Sequence, residues 1–241
     1  MKQTMKTGLA AFMLLLAISC KKENSSIQTS SIDGNNSAQN GIIDDKVLAG
    51  NTVKIGTQKW MLTNLRTKFY RNGDSIPQVT DPTAWASLTT GAWCWYNNDS
   101  ATYAQTYGKL YNWYAVNDPR GLAPTGYHIP SNAEWDTLST FLGGIYKAGG
   151  RMKDTGTINA GTGLWHRPNK KATNLSGFTG LPAGLRRTTG GYTSVGYYTY
   201  LWNSTNNAWY RYLSYDNTGF FSASNGSGSE NFGFSVRCLA D

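Results

Sequence analysis

Charged side chains are scarce in this sequence, at 15% of its 241 residues, and histidine occurs only twice. Low charge disfavours long-helix and coiled-coil proteins, which are rich in Glu, Lys and Leu. Histidine is the commonest general base and a frequent metal ligand, and the sequence identifies no partner for His128 or His166. The sequence therefore favours a protein without catalytic activity, and an enzyme of unrecognised type is the alternative.

Signatures of bound cofactors are also missing. The sequence contains no glycine-rich phosphate loop, no dinucleotide fingerprint and no histidine pair at zinc-binding spacing. Hard oxygen ligands for calcium are available at Asn97, Asn98, Asp99 and Asp118, although such residues are common in turns that hold no ion. We therefore expect no cofactor and no metal, with a loop-structuring calcium ion as the alternative.

Long apolar runs are confined to the N-terminus, where Gly8 to Ile18 follows two lysines in the order of an export signal. The run is shorter than the roughly 20 residues that a membrane-spanning helix needs. It ends in Ala-Ile-Ser-Cys, which resembles the lipobox of bacterial lipoproteins. We expect residues 1–19 to be a signal peptide and Cys20 to carry the lipid that anchors the protein to the outer membrane of the cell envelope. An ordinary signal peptide followed by a chance cysteine is the alternative.

Residues 21–46 have no aromatic side chain and are rich in Ser, Asn, Gln and Gly, so they cannot bury enough apolar surface to fold. We expect residues 20–46 to form a lipidated flexible tether and residues 47–241 to form one domain. The net charge of +8 comes from scattered basic residues, without the basic stripe or motif of a nucleic-acid site. We interpret these residues as a solvated surface and expect no nucleic-acid partner.

Glycine and aromatic residues are abundant, with 27 Gly, 15 Tyr and 9 Trp. This composition indicates short strands, tight turns and ordered loops. One helix is predicted after Ser131, which can form a capping box with Glu134, and Gly143 and Gly144 are predicted to end it. The residues on its predicted core face are Trp135, Leu138, Phe141 and Leu142. A second, short helix is predicted to begin at Asp81.

Strands are predicted where large residues alternate between turn signals. The predicted strands are Thr52–Ile55 and Lys59–Met61 as a hairpin, Trp93–Tyr96, Ala208–Tyr215 and Phe234–Cys238. Alternation places Phe234, Val236 and Cys238 on one face, which should point inward. The stretch from Gly143 to Gly191 lacks apolar periodicity and is predicted to be loop-rich.

Several phrases of the sequence, in this order, resemble the Fibrobacter succinogenes major paralogous domain, a family of secreted bacterial domains. They are Gln58–Leu65, Tyr70–Asp74, Tyr107–Trp113, Pro124–Ser131, Glu134–Trp135, Ser176–Phe178, Leu201–Thr205 and Phe234–Cys238. The family is in turn similar to the C-type-lectin-like fold of formylglycine-generating enzymes, through Gly126–Trp135 and Gly233–Cys238. The resemblance implies an α+β domain with small twisted antiparallel sheets, one or two helices and extensive ordered loops.

Two cysteines remain once Cys20 carries lipid, namely Cys94 and Cys238. Export would place both in an oxidising compartment, where an even pair favours a disulfide. Two separate buried thiols are the alternative. Formylglycine-generating enzymes depend on a close cysteine pair near the C-terminus, and here Cys238 is the only cysteine in that region. The resemblance therefore does not support oxidase chemistry.

Aromatic residues crowd the segment between Gly191 and Leu213. Exposed aromatic surfaces often mark interaction sites, and packing in a loop-rich core is the alternative for most of these rings. The predicted ligand-binding residues are Tyr198, Tyr200, Trp202, Trp209 and Arg211. We expect a lipid-anchored extracytoplasmic module that binds a glycan or an envelope protein. A structural surface module without a small ligand is the alternative.

Overall fold

The computed structural model describes residues 51–205, 208–224, 226 and 228–241. The predicted signal peptide, Cys20 and the tether lie outside these residues. In the described part of the chain, no helix is long and apolar enough to cross a membrane. Short strands and short helices follow one another along the sequence, which confirms the predicted α+β class.

The helices within the described residues are short. The α-helices are α1 (Pro82–Ala86), α2 (Ser100–Tyr107), α3 (Trp113–Val116), α4 (Asn132–Phe141) and α5 (Ile145–Met152). Two 3₁₀ turns cover Tyr96–Asn98 and Ile158–Ala160. The helix predicted from Asp81 is α1, since the Asp81 carboxylate caps it by accepting the backbone N–H of Ala84 at 2.7 Å.

Short strands form three small sheets in the part of the chain that the structure describes. The strands are β1 (Thr52–Ile55), β2 (Gln58–Met61), β3 (Trp93–Cys94), β4 (Leu110–Tyr111), β5 (Tyr127–His128), β6 (Ala183–Arg186), β7 (Tyr192–Val195), β8 (Tyr198–Trp202), β9 (Tyr210–Ser214), β10 (Phe221–Ala223) and β11 (Leu239–Ala240). The first sheet has the order β1-β2-β11-β5, the second has the order β10-β9-β8-β6-β7, and the third pairs β3 with β4. The predicted hairpin is confirmed as β1 and β2.

Helix α4 begins and ends where the sequence predicts. The Ser131 hydroxyl accepts the backbone N–H of Glu134, and the Glu134 carboxylate accepts the backbone N–H of Ser131, so the capping box is complete. Gly143 and Gly144 follow with φ angles of 87° and 93°. Gly144 N–H donates to the carbonyl of Ser139, as in a Schellman motif. Local signals at both ends therefore determine this helix.

The buried face of α4 is narrower than predicted. Trp135, Leu138 and Leu142 are buried, whereas Phe141 is 61% exposed, so its predicted place on the core face is wrong. At about 100° per residue, Phe141 falls about 60° outside the arc that the other three define. Its ring lies instead over the turn between β1 and β2, where a Cβ on Gly56 would come within 2.9 Å of it.

The stretch from Gly143 to Gly191 contains a helix that the pattern did not predict, α5. Gly149 and Gly150 lie inside it, and glycine in a helix interior is unfavourable. Both are needed here because other segments pack against the helix backbone. A Cβ on Gly149 would lie 2.0 Å from the carbonyl oxygen of Gly219.

The C-terminal segment runs through the middle of the domain, and the predicted regular strand Phe234–Cys238 is wrong. Its backbone pairings are Gly233 with Arg186, Phe234 with Tyr111, Ser235 with Tyr200 and Trp202, Val236 with Leu65, and Cys238 with Met61. Successive residues thus bond to different segments, so no single ladder forms before β11. The predicted inward face is confirmed, since Phe234, Val236 and Cys238 are all buried in one hydrophobic cluster.

Several basic side chains are buried, which corrects their interpretation as a wholly solvated surface. The buried basic residues are Lys109, Lys153, Arg186, Arg211 and Arg237. Arg186 donates to the carbonyl oxygens of residues 79–81, and Arg237 donates to those of Met61 and Phe178. In irregular backbone, carbonyl groups lack the hydrogen bonds that neighbouring strands provide. When such carbonyl groups are buried, they need other hydrogen-bond donors. Buried cations therefore hold the loops of this domain together.

The structure does not contain the predicted disulfide between Cys94 and Cys238, although both cysteines are buried. Cys94 lies in a hydrophobic cluster with Trp85 and Leu110, where burial raises the pKa of its thiol to about 11. Cys238 lies in the separate cluster that contains Phe234. The alternative of two separate buried thiols is the observed arrangement.

Candidate ligand-binding cleft

The second sheet presents a row of aromatic rings on one face. Side chains alternate between faces along a strand, so Tyr198, Tyr200 and Trp202 of β8 share a face. The strand register places Tyr200 opposite Tyr212 of β9, and Tyr212 opposite Phe221 of β10. Three adjacent strands therefore contribute to one continuous aromatic surface.

This surface is buried at one end and open at the other. At the buried end, Trp202 and Tyr210 pack on Phe234, with ring centroids 4.4 and 4.8 Å from it. At the open end the rings line a cleft of about 420 Å³, which we call the tyrosine cleft. Its lining residues are Tyr198, Tyr200, Tyr210, Tyr212, Ser214, Asp216, Asn217, Phe221 and Ala223.

Neighbouring rings hold the tyrosines of the cleft in place. Tyr200 stacks on Phe234 with centroids 5.2 Å apart, and Tyr198 stacks on Tyr200 at 5.8 Å. Tyr212 packs against Phe221 at 5.7 Å. Burial raises the pKa of Tyr200 to about 12, so its hydroxyl stays neutral and can both donate and accept a hydrogen bond.

A buried lysine organises the polar end of the tyrosine cleft. Lys153 Nζ donates to the carbonyl oxygens of Ser214 and Asn217, each at 2.8 Å. The Ser214 hydroxyl donates to the carboxylate of Asp216. Burial lowers the pKa of Lys153 to about 8, and the charge of Asp216 opposes that shift. The turn that carries Asp216 and Asn217 is therefore fixed beside the aromatic rings.

The tyrosine cleft contains Tyr198 and Tyr200 of the predicted ligand-binding residues. Trp202 is fully buried and donates its indole N–H to the carbonyl oxygen of Tyr111 at 2.7 Å, so its predicted role in ligand binding is wrong. Trp209 is half-buried and is not among the residues that line the cleft.

Arg211 is likewise unavailable for ligand binding. Its side chain is 3% exposed, and its guanidinium pairs with the carboxylate of Asp136 at 2.7 Å. It belongs to the other face of β9, because it is offset by one residue from Tyr210 and Tyr212. Tyr212 is not among the predicted ligand-binding residues. The signal for it is strand pairing, because Tyr212 lies opposite Tyr200 in the register of β8 and β9.

A comparison with models of protein families gives a match over most of the chain. The model of the Fibrobacter succinogenes major domain matches residues 53–240, a range that includes the whole tyrosine cleft. The chain belongs to this family. Searches of curated proteins and of solved structures each give no match. The family description names a domain and no activity.

In this Fibrobacter succinogenes major domain, His128 lies between two carboxylates. Its Nδ1 is 2.7 Å from Asp241 Oδ1, and its Nε2 is 2.8 Å from Glu134 Oε1. Burial disfavours the imidazolium, but hydrogen bonds to Asp241 and Glu134 outweigh that effect and raise the pKa of His128. The Ser131 hydroxyl donates to Glu134, so His128 joins β5, α4 and Asp241 through its two hydrogen bonds.

The candidate calcium ligands have separate local contacts in the Fibrobacter succinogenes major domain. The Asp99 carboxylate caps α2 by accepting the backbone N–H of Thr102 at 3.0 Å. Asp118 pairs with Arg120 at 2.8 Å, and this hydrogen bond lowers the pKa of Asp118 to about 2. Across residues 51–241, leaving out the four positions not described, no group of three or more His, Cys, Asp or Glu could hold a metal ion.

Proposed function

We propose that this domain binds a glycan in the tyrosine cleft and has no catalytic activity. The observation that carries the proposal is the open aromatic surface of Tyr198, Tyr200 and Tyr212 beside the fixed polar turn at Asp216 and Asn217. Sugar rings present an apolar face that can lie on an aromatic ring and a rim of hydroxyls that need hydrogen-bond partners. The cleft offers both kinds of contact, and pockets with apolar walls and a few placed polar groups are typical ligand sites.

The size of the cleft favours a glycan over an envelope protein. Its volume of about 420 Å³ lies within the range of sites for small ligands, roughly 300–1,000 Å³. A stable protein partner would need a surface of about 800 Å² on this side of the interface. The concave shape and the limited area therefore fit one or a few sugar units.

Removal of one ring should test the proposal. Tyr212→Ala in the domain of residues 47–241 should weaken glycan binding about tenfold or more, because aromatic side chains at the centre of a binding site carry much of the affinity. The measurement is a glycan array followed by calorimetric titration of the strongest ligand.

The matched control is Tyr197→Ala. Tyr197 is 40% exposed, stacks on His166 at 4.0 Å and does not line the cleft. We expect this variant to bind as the unchanged protein does. Equal loss of binding in both variants, or no binding of any glycan by a folded protein, would contradict the proposal.

We also propose that the fold is C-type-lectin-like and that the protein is anchored in the cell envelope. The small, mostly antiparallel sheets and the capping-box helix at Ser131 support the first point, and the export signal followed by Cys20 supports the second. A binding module on a flexible tether would be suited to search the surroundings of the membrane for its ligand.

The anchor is tested by Cys20→Ala. This variant should take up no labelled fatty acid and should leave the membrane fraction, because the lipid provides the attachment. Fractionation after a high-salt wash, with Cys94→Ala as the control cysteine variant, measures the effect. Continued attachment of the Cys20→Ala protein would show that the lipid is not the anchor.

A further inference from the structure

A second cleft, lined by three cationic side chains, lies next to the tyrosine cleft. Its volume is about 360 Å³, and its lining residues are Lys147, Gly150, Arg151, Lys171, Thr173, Leu175 and Thr218. The lining contains no acidic side chain. Among the residues that the structure describes, none forms an ion pair with Lys147, Arg151 or Lys171. We call this site the cationic cleft.

Paired glycines allow three segments to meet at the cationic cleft. A Cβ on Gly150 would lie 2.7 Å from the carbonyl oxygen of Lys171, so only glycine lets that loop approach α5 so closely. Thr173 N–H donates to the Gly150 carbonyl at 2.8 Å, and Gly150 N–H donates to the Thr218 carbonyl at 3.0 Å. Main-chain contacts therefore fix the backbone segments that carry the three cations.

Three cationic side chains line this one cleft, an arrangement in which like charges disfavour each other. Lys147 and Arg151 are four residues apart on α5, where like charges slightly destabilise a helix. Arg151 Nη1 donates to the carbonyl oxygen of Leu142 at 3.1 Å, which orients the guanidinium. Lys171 has a φ of 54°, a strained conformation for a residue other than glycine. An anion between these groups would relieve the repulsion and accept charge-assisted hydrogen bonds.

The two clefts share a wall. Asn217 lines the tyrosine cleft and the next residue, Thr218, lines the cationic cleft. The Thr218 hydroxyl donates to the carbonyl of Tyr146 at 2.7 Å, and the Tyr146 ring packs edge-on against Phe221 at 6.0 Å. A single elongated ligand could therefore contact the rings of one cleft and the cations of the other.

We propose that the cationic cleft binds the sulfate or carboxylate groups of an acidic polysaccharide whose sugar rings occupy the tyrosine cleft. The inference rests on the proposed glycan binding and adds the class of glycan. Lysine and arginine side chains on α5 and on the loop at Lys171 match dispersed anionic groups along a sugar chain, and the neighbouring aromatic surface supplies the contact with the rings.

Two polymers with the same backbone test this inference. Dextran sulfate should bind the domain about tenfold more tightly than uncharged dextran, and raised salt should reduce the difference. Lys147→Gln combined with Lys171→Gln should remove this advantage and leave binding of dextran unchanged. The matched control is Lys54→Gln combined with Lys59→Gln, which removes the same charge from two exposed lysines that face each other across β1 and β2.

The outcomes separate this inference from the proposed function. The inference is supported if the Lys147/Lys171 variant loses the tighter binding of dextran sulfate and the Lys54/Lys59 variant keeps it. If the unchanged protein binds both polymers equally and Tyr212→Ala weakens that binding, the proposed glycan binding stands. The proposal that the ligand is an acidic polysaccharide would then be overturned. Equal loss in both lysine variants, or a DNA duplex or phosphatidylglycerol vesicle bound as tightly as dextran sulfate, would indicate general attraction to polyanions and would also overturn it.

Discussion

Arg237→Met is expected to lower the free energy of unfolding by roughly 3–5 kcal/mol. The Arg237 side chain is 1% exposed and donates to the carbonyl oxygens of Met61 and Phe178 and to the side-chain oxygen of Asn64. Burial lowers the pKa of its guanidinium, yet an arginine keeps its charge. Methionine has a similar length but would leave three buried acceptors without a donor.

Urea denaturation of the domain measures this effect. Arg187→Met is the control, because Arg187 follows β6 directly and its side chain is exposed. Its replacement should change the free energy of unfolding by less than about 0.5 kcal/mol. Equal stability of the Arg237→Met variant and the unchanged protein would show that the buried cations do not hold the loops together.

Trp135→Ala is expected to cost roughly 3–5 kcal/mol of stability. Trp135 is fully buried, stacks on Trp60 with centroids 4.4 Å apart and meets Phe178 and Phe220 edge-on. Loss of the indole would leave a cavity where α4 packs on the first sheet and on the core beneath the second sheet. The role of Trp135 is therefore packing.

Two further variants test whether the loss of stability comes from removing a buried ring. Trp135→Phe should cost less than half as much, because it keeps a ring in the stack and the indole nitrogen has no hydrogen-bond partner in the described residues. Phe141→Ala on the same helix should cost under about 1 kcal/mol, since that ring is largely exposed. A Trp135→Ala protein as stable as the Phe141→Ala protein would contradict the assignment of Trp135 to the core.

Local signals in the sequence were sufficient for part of the fold. Ser131 with Glu134 predicted the start of α4, and Gly143 with Gly144 predicted its end, because each motif is formed within a few residues. The α5 helix could not be predicted in this way. Gly149 and Gly150 disfavour a helix locally, and the reason for them is the approach of Gly219 and Lys171, which lie far away in the sequence.

The candidate site was predictable only in its general position. Aromatic enrichment pointed to the segment that contains β8 and β9, but it could not separate buried from accessible rings. Trp202 and Tyr200 share a strand face, yet one is fully buried and the other lines the cleft. Trp202 also packs against Trp113, with ring centroids 5.4 Å apart, and bonds to the carbonyl of Tyr111, and these contacts depend on the tertiary fold.

The central claim is that sugar rings lie on the tyrosine cleft, and nuclear magnetic resonance mapping tests it most directly. The domain would be titrated with the glycan that gives the strongest array signal, and the ring proton shifts of its tyrosines would be followed. We expect the largest shifts at Tyr198, Tyr200 and Tyr212, while Tyr197 stays unchanged. Shifts centred on Tyr197 and His166, with the three cleft tyrosines unaffected, would contradict binding in the tyrosine cleft.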